Sequence, residues 1–277
     1  MIKWSVPVLL ITLAITINAC SPNNVTEDKS LQKYFDENKV TGTFGLFDNA
    51  QGQFNIYNVT RFSDSAYLPA STFKIVNSLI GVETGRVLDS STVFKWDSVV
   101  HPNRTECDRD MTMYDAFRIS CPPWYQQLAR RIGKDTMQHW LDTLGYAQRY
   151  GKFIIKNNLD TFWLDNSAKI TADEQLGLVK RLYFDQLPFT KRSHRIVRNM
   201  MLWENNANYK LSYKTGWGSM ENGHQLGWIV GWIEENRHPY FFVLQLESPD
   251  SNYDMSTVRL KILKDILKQY GFMLGQK

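Results

Sequence analysis

Strand-like segments stand at both ends of this chain, and helix-like segments fill the long stretch between them. Five segments have the alternation or the β-branched and aromatic content of strands: 41–48, 54–59, 211–217, 225–234 and 240–247. The first two flank the turn-forming sequence NAQG at 49–52 and predict a hairpin. Because the early and late strands must pair across the helical stretch, the pattern predicts an α+β fold. We expect an antiparallel sheet flanked by terminal helices, with an inserted all-helical lobe.

Helical periodicity is predicted for the middle of the chain and for its two flanks. The apolar spacing indicates helices over 30–38, 71–83, 114–132, 135–144, 172–183 and 254–270. The last segment carries one apolar stripe, formed by Val258, Ile262, Leu263, Ile266 and Leu267. The first and last of these helices are expected to flank the sheet, and the others to build the lobe.

The composition is that of an ordinary globular protein and excludes several classes. Of 277 residues, 43% are hydrophobic and 22% are charged, which excludes collagen-like, disordered and multi-span membrane chains. The formal net charge of +4 is not concentrated in a basic run, so nucleic-acid binding has no support. The three cysteines and five histidines include no Cys-x-x-Cys or His-Glu-x-x-His sequence, and we therefore expect no metal site.

An apolar leader precedes the globular part of the chain. Lys3 is followed by the apolar segment 4–17, which is short for a membrane span and fits the core of a signal peptide. It ends just before Ala19 and Cys20, a pairing that resembles a bacterial lipobox. We expect 1–19 to be removed as a lipoprotein-type signal peptide, Cys20 to be lipidated, and polar residues 20–30 to form a tether. The alternative is an ordinary signal peptide that ends near a cysteine.

This leader also predicts where the protein resides and where its folded part begins. The folded domain is expected to span 31–277. We expect a periplasmic protein of a Gram-negative bacterium, attached to the membrane through its lipid anchor only.

The first chemical motif is Ser71-Thr72-Phe73-Lys74. On a helix, the i, i+3 spacing places Ser71 and Lys74 on one face, where a neutral lysine could take the proton of the serine hydroxyl. Apolar surroundings such as Phe73 disfavour the ammonium form of the lysine by desolvation. The alternative is that Ser71 only caps a helix. The same spacing recurs at Ser30 and Lys33, where polar surroundings predict a solvated helix start.

A second motif decides between these alternatives. Lys214-Thr215-Gly216 lies in a predicted strand, and Ser120 lies between the two motifs, in the helical region. Ser-x-x-Lys, a middle serine and Lys-Thr-Gly, in this order, are the joint signature of class A β-lactamases and penicillin-binding proteins. Three elements in the correct order are far more specific than any one of them.

From about residue 31 to the end, the chain resembles the class D β-lactamases, the oxacillinases. The matching segments are PASTFKI (69–75), YQQLARRIG (125–133), LDTFWL (159–164), ITADEQ (170–175), LPF (187–189), KTGW (214–217) and GWIVGW (227–232). The Phe-Trp-Leu element separates class D from class A, which would instead carry a glutamate in an omega loop.

The resemblance implies the catalytic roles. Ser71 would be the acylated nucleophile, and Lys74 would react with carbon dioxide to become N6-carboxylysine, the general base. Trp163 would donate its indole N–H to that group, and Ser120 would pass a proton to the leaving nitrogen. The backbone N–H groups of Ser71 and Trp217 would form the oxyanion hole. No cofactor other than carbon dioxide is implied.

The resemblance also implies the substrate and its binding residues. Penicillins and cephalosporins would be hydrolysed, with carbapenems as an open further class. Lys214, Thr215 and Arg259 would hold the substrate carboxylate. Substrate-binding residues are Lys214, Thr215, Gly216, Trp217 and Arg259, and pocket residues are Phe73, Pro122 and Leu164. Arg259 could instead be a surface arginine of its helix.

Two motifs depart from the family pattern. Ser-x-Val becomes Ser120-Cys121-Pro122, and Tyr-Gly-Asn becomes 146–148 (YAQ). These changes leave open the alternative that the chain is a penicillin-binding or sensor protein that deacylates slowly. A non-catalytic lipoprotein that binds the cell wall is the third alternative, and the intact motifs argue against it.

By the same resemblance Cys107 and Cys121 fall near the rim of the active site, and we hypothesise that they form a disulfide rather than two free thiols.

Overall fold

The computed structural model describes residues 24–277. The predicted signal peptide, Cys20 and the first four residues of the predicted tether lie outside the described residues. Within 24–277, no helix combines the length and hydropathy needed to cross a membrane.

A seven-stranded sheet forms the centre of the molecule. Its strands are β1 (Val25–Glu27), β2 (Thr41–Asp48), β3 (Gln53–Tyr57), β4 (Leu202–Asn205), β5 (Lys210–Ser219), β6 (Gln225–Glu235) and β7 (His238–Ser248). Their spatial order is β1-β3-β2-β7-β6-β5-β4. All neighbours pair antiparallel except β1, which pairs parallel with β3. The predicted fold class is confirmed, with β1 as an added parallel edge strand.

The predicted tether is wrong over its described part. Val25 pairs with Phe54, and Asp28 caps a short 3-10 turn, Lys29–Leu31, by accepting a hydrogen bond from the Ser30 backbone. The polar composition of this segment suits this edge strand as well as a tether, because two of the three residues of β1 are exposed.

Nine α-helices are found in residues 24–277. They are α1 (Gln32–Glu37), α2 (Val59–Asp64), α3 (Lys74–Glu83), α4 (Met113–Arg118), α5 (Pro122–Ile132), α6 (Lys134–Leu144), α7 (Ala172–Tyr183), α8 (Lys191–Met201) and α9 (Met255–Gln269). The single helix predicted over 114–132 is wrong, because it is divided in two. A proline lacks an N–H and favours the first turn of a helix, so α5 restarts at Pro122.

The sheet is buried on both faces. In β6, Trp228, Val230 and Trp232 belong to the core beneath the helical lobe. The alternating residues Ile229 and Ile233 belong to a second core, beneath α1 and α9. Because successive side chains of a strand face opposite sides, the continuous apolar run of β6 fills both cores.

Candidate active site

Ser71 lies in a 3-10 turn, Ala70–Phe73, directly before α3. Its hydroxyl makes no helix-capping hydrogen bond and instead accepts one from Lys74 Nζ, at 2.6 Å. The turn is held from outside by a bond from the Ala70 N–H to the Trp163 carbonyl, at 2.9 Å. The structure therefore brings the predicted serine and lysine together and removes the helix-cap alternative for Ser71.

Lys74 is the first residue of α3 and is completely buried. Burial, with a smaller contribution from the positive charge of Arg104, lowers the pKa of Lys74 to about 7. Near neutral pH a large fraction of its amine is therefore unprotonated. The second copy of the motif differs, because Ser30 and Lys33 are both exposed.

Trp163 lies behind the nucleophile and is also completely buried. Its ring stacks on Phe73 with 5.0 Å between centroids. Its Nε1 has no hydrogen-bond partner among the described residues, although a buried N–H normally has one. Phe73, predicted as a pocket residue, is fully buried in this aromatic cluster and lies behind the cavity wall.

Ser120 lies in the break between α4 and α5, with a left-handed backbone φ of +61°. Its Oγ accepts a hydrogen bond from Lys214 Nζ of β5 at 2.9 Å. Burial first, and then the positive charges of Lys74 and nearby arginines, hold the pKa of Lys214 well below its ordinary value. The middle serine and the Lys-Thr-Gly strand therefore meet as the motif order predicts.

The strand β5 approaches the Ser71 turn closely at Gly216. A Cβ there would lie 3.1 Å from the Pro69 carbonyl oxygen, so a side chain would push the strand away from the turn. Arg259 of α9 donates to the Gly216 carbonyl at 2.6 Å and is only 8% exposed, which excludes the surface alternative. Burial lowers the pKa of Arg259 to about 10, so it stays cationic at neutral pH.

These elements surround one open cavity of about 390 Å³. Among the predicted residues, its walls include Ser71, Ser120, Pro122, Leu164, Thr215, Trp217 and Arg259. Lys74, Trp163, Lys214 and Gly216 are buried. Arg104, Glu106, Ile119 and Ser256 also line the cavity and were missed. Ile119 directly precedes Ser120, Glu106 directly precedes Cys107, and Ser256 lies three residues before Arg259, but no motif marked any of the four.

A disulfide joins Cys107 to Cys121, with 5.8 Å between their Cα atoms. The pairing hypothesis is confirmed, together with its place at the rim. Each cysteine adjoins a cavity residue, Glu106 in one case and Ser120 in the other.

The second departure from the family pattern has a backbone consequence. Ala147 has a φ of +56°, a conformation in which a glycine, the usual residue there, would be unstrained. Its neighbour Tyr146 is buried, with a hydroxyl that has no partner among the described residues.

Within 24–277, no three His, Cys, Asp or Glu side chains gather as a group that could hold a metal ion.

The chain is similar in sequence and fold to known proteins. Residues 21–268 match the family of the penicillin-binding protein transpeptidase domain. Beta-lactamase OXA-48 of Klebsiella pneumoniae is 39% identical, over 88% of this chain and 88% of that protein. The probable beta-lactamase YbxI of Bacillus subtilis is 36% identical, over 98% of each chain. The solved class D β-lactamase YbXI from Nostoc has a TM-score of 0.80 at 32% identity, over 88% of this chain and 99% of that one.

The sheet, the helical lobe and the serine–lysine pair at the cavity place the chain among serine enzymes with the transpeptidase-like fold. Within this class, the chain belongs to the class D β-lactamases. It is a serine β-lactamase, a hydrolase that acts on the amide bond of β-lactam antibiotics.

Proposed function

We propose that this enzyme hydrolyses β-lactams through an acyl-enzyme on Ser71. The observation that carries the proposal is the 2.6 Å contact between Ser71 Oγ, on the cavity wall, and a buried Lys74 with a pKa of about 7. In acylation the Ser71 Oγ–carbon bond forms and the ring carbon–nitrogen bond breaks. The Oγ proton leaves toward Lys74, and the ring nitrogen gains a proton.

We further propose that Lys74 is carboxylated by carbon dioxide. Only a neutral amine attacks carbon dioxide, and the lowered pKa of Lys74 supplies one near neutral pH. The unpartnered Nε1 of Trp163 is a donor without an acceptor, which fits an added carboxylate oxygen. The lysine nitrogen bonds to the carbon of carbon dioxide and releases one proton to solvent, which leaves an anionic carbamate as a base for both acylation and deacylation. In deacylation the carbamate takes a proton from water, the water oxygen bonds to the acyl carbon, and the bond to Ser71 Oγ breaks as Oγ regains a proton. Phe73 and Trp163 exclude water from the amine side of the site.

Ser120 is proposed to deliver the proton to the ring nitrogen. Lys214 Nζ lies 2.9 Å from its hydroxyl and orients it, while the hydroxyl proton remains free to be donated toward the cavity. The backbone N–H groups of Ser71 and Trp217 are proposed to stabilise the oxyanion of the tetrahedral intermediate. One such donor is typically worth about 10²–10³ in rate.

The substrate carboxylate is proposed to bind at the β5 side of the cavity. Thr215 and Arg259 line this side, and Lys214 lies directly behind it. The Arg259 guanidinium beside the Thr215 hydroxyl forms a site for a planar anion, because charge-assisted hydrogen bonds are the strongest available. A carboxylate bound there would favour the charged form of the neighbouring Lys214.

Turnover of a chromogenic cephalosporin tests this function. In buffer depleted of carbon dioxide, we expect slow hydrolysis that added bicarbonate accelerates. Carbon-13 bicarbonate should give a carbamate carbonyl signal in the wild type, and Lys74→Ala should lose both this signal and deacylation. Lys33→Ala, from the exposed copy of the motif, is the matched control and should retain both.

Three results would contradict the proposal or limit it. A single stoichiometric burst would indicate a penicillin-binding or sensor protein. The absence of an adduct on Ser71 by mass spectrometry would exclude the nucleophile. Normal turnover by Lys74→Ala would exclude the carbamate role.

We also propose that the enzyme is a lipoprotein of the Gram-negative periplasm. The support is the sequence of the leader, in which an apolar segment ends at Ala19 and Cys20. In a Gram-negative host, Cys20→Ser should move the protein from the membrane to the soluble periplasmic fraction. Release of the wild type in that fraction would refute the anchor.

A further inference from the structure

Arg104 lies on the cavity wall and belongs to no motif of the sequence. Its Nη2 donates to the Ile119 carbonyl at 2.8 Å and to the Ser120 carbonyl at 3.4 Å. Its Nε donates to the Glu106 carboxylate at 2.6 Å. Because a guanidinium is planar and its donors are fixed relative to one another, these contacts determine its orientation.

Ser120 occupies a part of the backbone that needs support from outside. The helix α4 ends at Arg118 and α5 begins at Pro122, so carbonyls at the end of α4 lack partners in a following helical turn. Ser120 itself is in the left-handed region, which a residue with a Cβ occupies only when its surroundings impose it. Arg104 binds two successive carbonyls of this turn.

The loop that carries Arg104 is also linked covalently to the residue after Ser120. The 3-10 turn Thr105–Cys107 follows Arg104, and Cys107 forms the disulfide with Cys121. The base of the loop is closed by His101 and Asp108, whose side-chain atoms are 2.8 Å apart. The same loop therefore holds the backbone around Ser120 through a guanidinium and through a disulfide.

We propose that Arg104 is a positioning residue that acts through Ser120. By fixing the carbonyls of Ile119 and Ser120, it keeps Ser120 Oγ against Lys214 Nζ and thereby sets the path along which the ring nitrogen is protonated. The inference rests on the proposed role of Ser120 as proton donor in acylation. In this role Arg104 touches neither the substrate nor the reacting atoms.

Two substitutions separate the geometry of Arg104 from its charge. Arg104→Met removes both, whereas Arg104→Lys keeps a cation but has only one donor nitrogen in place of the separate Nη2, which binds the carbonyls, and Nε, which binds Glu106. The charge matters separately, because it contributes to the lowered pKa of Lys74. The matched control is Arg109→Met, an exposed arginine of the same loop that does not line the cavity.

Single-turnover measurements of acylation and deacylation test the proposal. We expect Arg104→Met to lower the acylation rate at least about tenfold, within the 10²–10⁴-fold that positioned proton transfer supplies, and to change deacylation much less. Compared with Arg104→Met, Arg104→Lys should return the pH midpoint of bicarbonate activation to the wild-type value. It should recover only part of the acylation rate. Arg109→Met should match the wild type in both steps.

A double-mutant cycle shows whether Arg104 acts through Ser120. In the Ser120→Ala background, Arg104→Met should lower acylation by less than about twofold, because the group it positions is absent. An undiminished effect in that background would overturn the inference, as would wild-type acylation by Arg104→Met. If the wild type formed no adduct on Ser71, the proposed function itself would fail, which is a distinguishable result.

Discussion

Lys74 combines complete burial with a polar nitrogen whose hydrogen-bond partner, among the described residues, is Ser71 Oγ. Burying an amine without a counter-charge destabilises the folded state, because the charged form is favoured in water. The lowered pKa of Lys74 has the same cause, because burial disfavours the charged form of the amine. The residue is retained at a cost in stability because the reaction needs an unprotonated nitrogen beside the nucleophile.

The substitution Lys74→Met should therefore stabilise the fold while it abolishes turnover. In bicarbonate-free buffer we expect the free energy of unfolding to rise by on the order of 1–3 kcal/mol at neutral pH. Because the pKa of Lys74 is about 7 in the folded state against an ordinary lysine value of 10.5, the unfolded state binds more protons between these two pH values. The stability of the wild type should rise with pH across this window, so its deficit relative to Lys74→Met should shrink.

Urea unfolding of both proteins at pH values near 7 and near 10 measures this difference. Lys33→Met, at the exposed lysine of the second Ser-x-x-Lys copy, should leave the free energy of unfolding unchanged to within about 0.5 kcal/mol. A gap between wild type and Lys74→Met that is the same at both pH values would show that Lys74 does not titrate in this range in the folded state.

Among the elements, those with a strong internal pattern could be predicted from the sequence. The strands β2, β5, β6 and β7 and the helices α3, α6, α7 and α9 lie where their apolar periodicity places them. The short helix α8 was not assigned, because its sequence KRSHRIVRNMM carries many cations among few apolar residues. Its buried residues nevertheless recur at helical spacing and pack against α3 and α7, so a pattern was present: Ser193, His194, Val197, Met200 and Met201.

The break between α4 and α5 shows why part of the site could not be predicted. The signal was present in the consecutive prolines 122 and 123, but helical periodicity continues on both sides and hides the interruption. The left-handed conformation of Ser120 and its support by Arg104 arise from contacts between segments distant in sequence. Sequence motifs identified the reacting residues, whereas the residues that hold them are defined only by the fold.

At the scale of the whole molecule, the first described residues pack against the sheet and against the C-terminal helix α9. The segment Val25–Glu27 extends the sheet beside β3, and the following turn contacts the end of α9. Tyr270 donates to the Asp28 carboxylate at 2.9 Å, and Gln269 donates to Ser30 Oγ at 2.8 Å. The folded domain therefore begins before residue 31, the boundary predicted from composition.

This boundary can be tested with two shortened chains. A chain that begins at Asn24 should retain the thermal stability of the protein without its leader, whereas one that begins at Leu31 should lose it in part. The second chain lacks at least four hydrogen bonds: the two contacts to α9 and the backbone bonds that Asn24 and Asp28 form with β3. At about 0.5–1.5 kcal/mol for each bond, we expect a loss of about 2–6 kcal/mol. Both chains should still acylate Ser71, because the lost segment does not line the cavity. Equal unfolding midpoints for the two chains would show that residues 24–30 act as a tether and that β1 does not stabilise the fold.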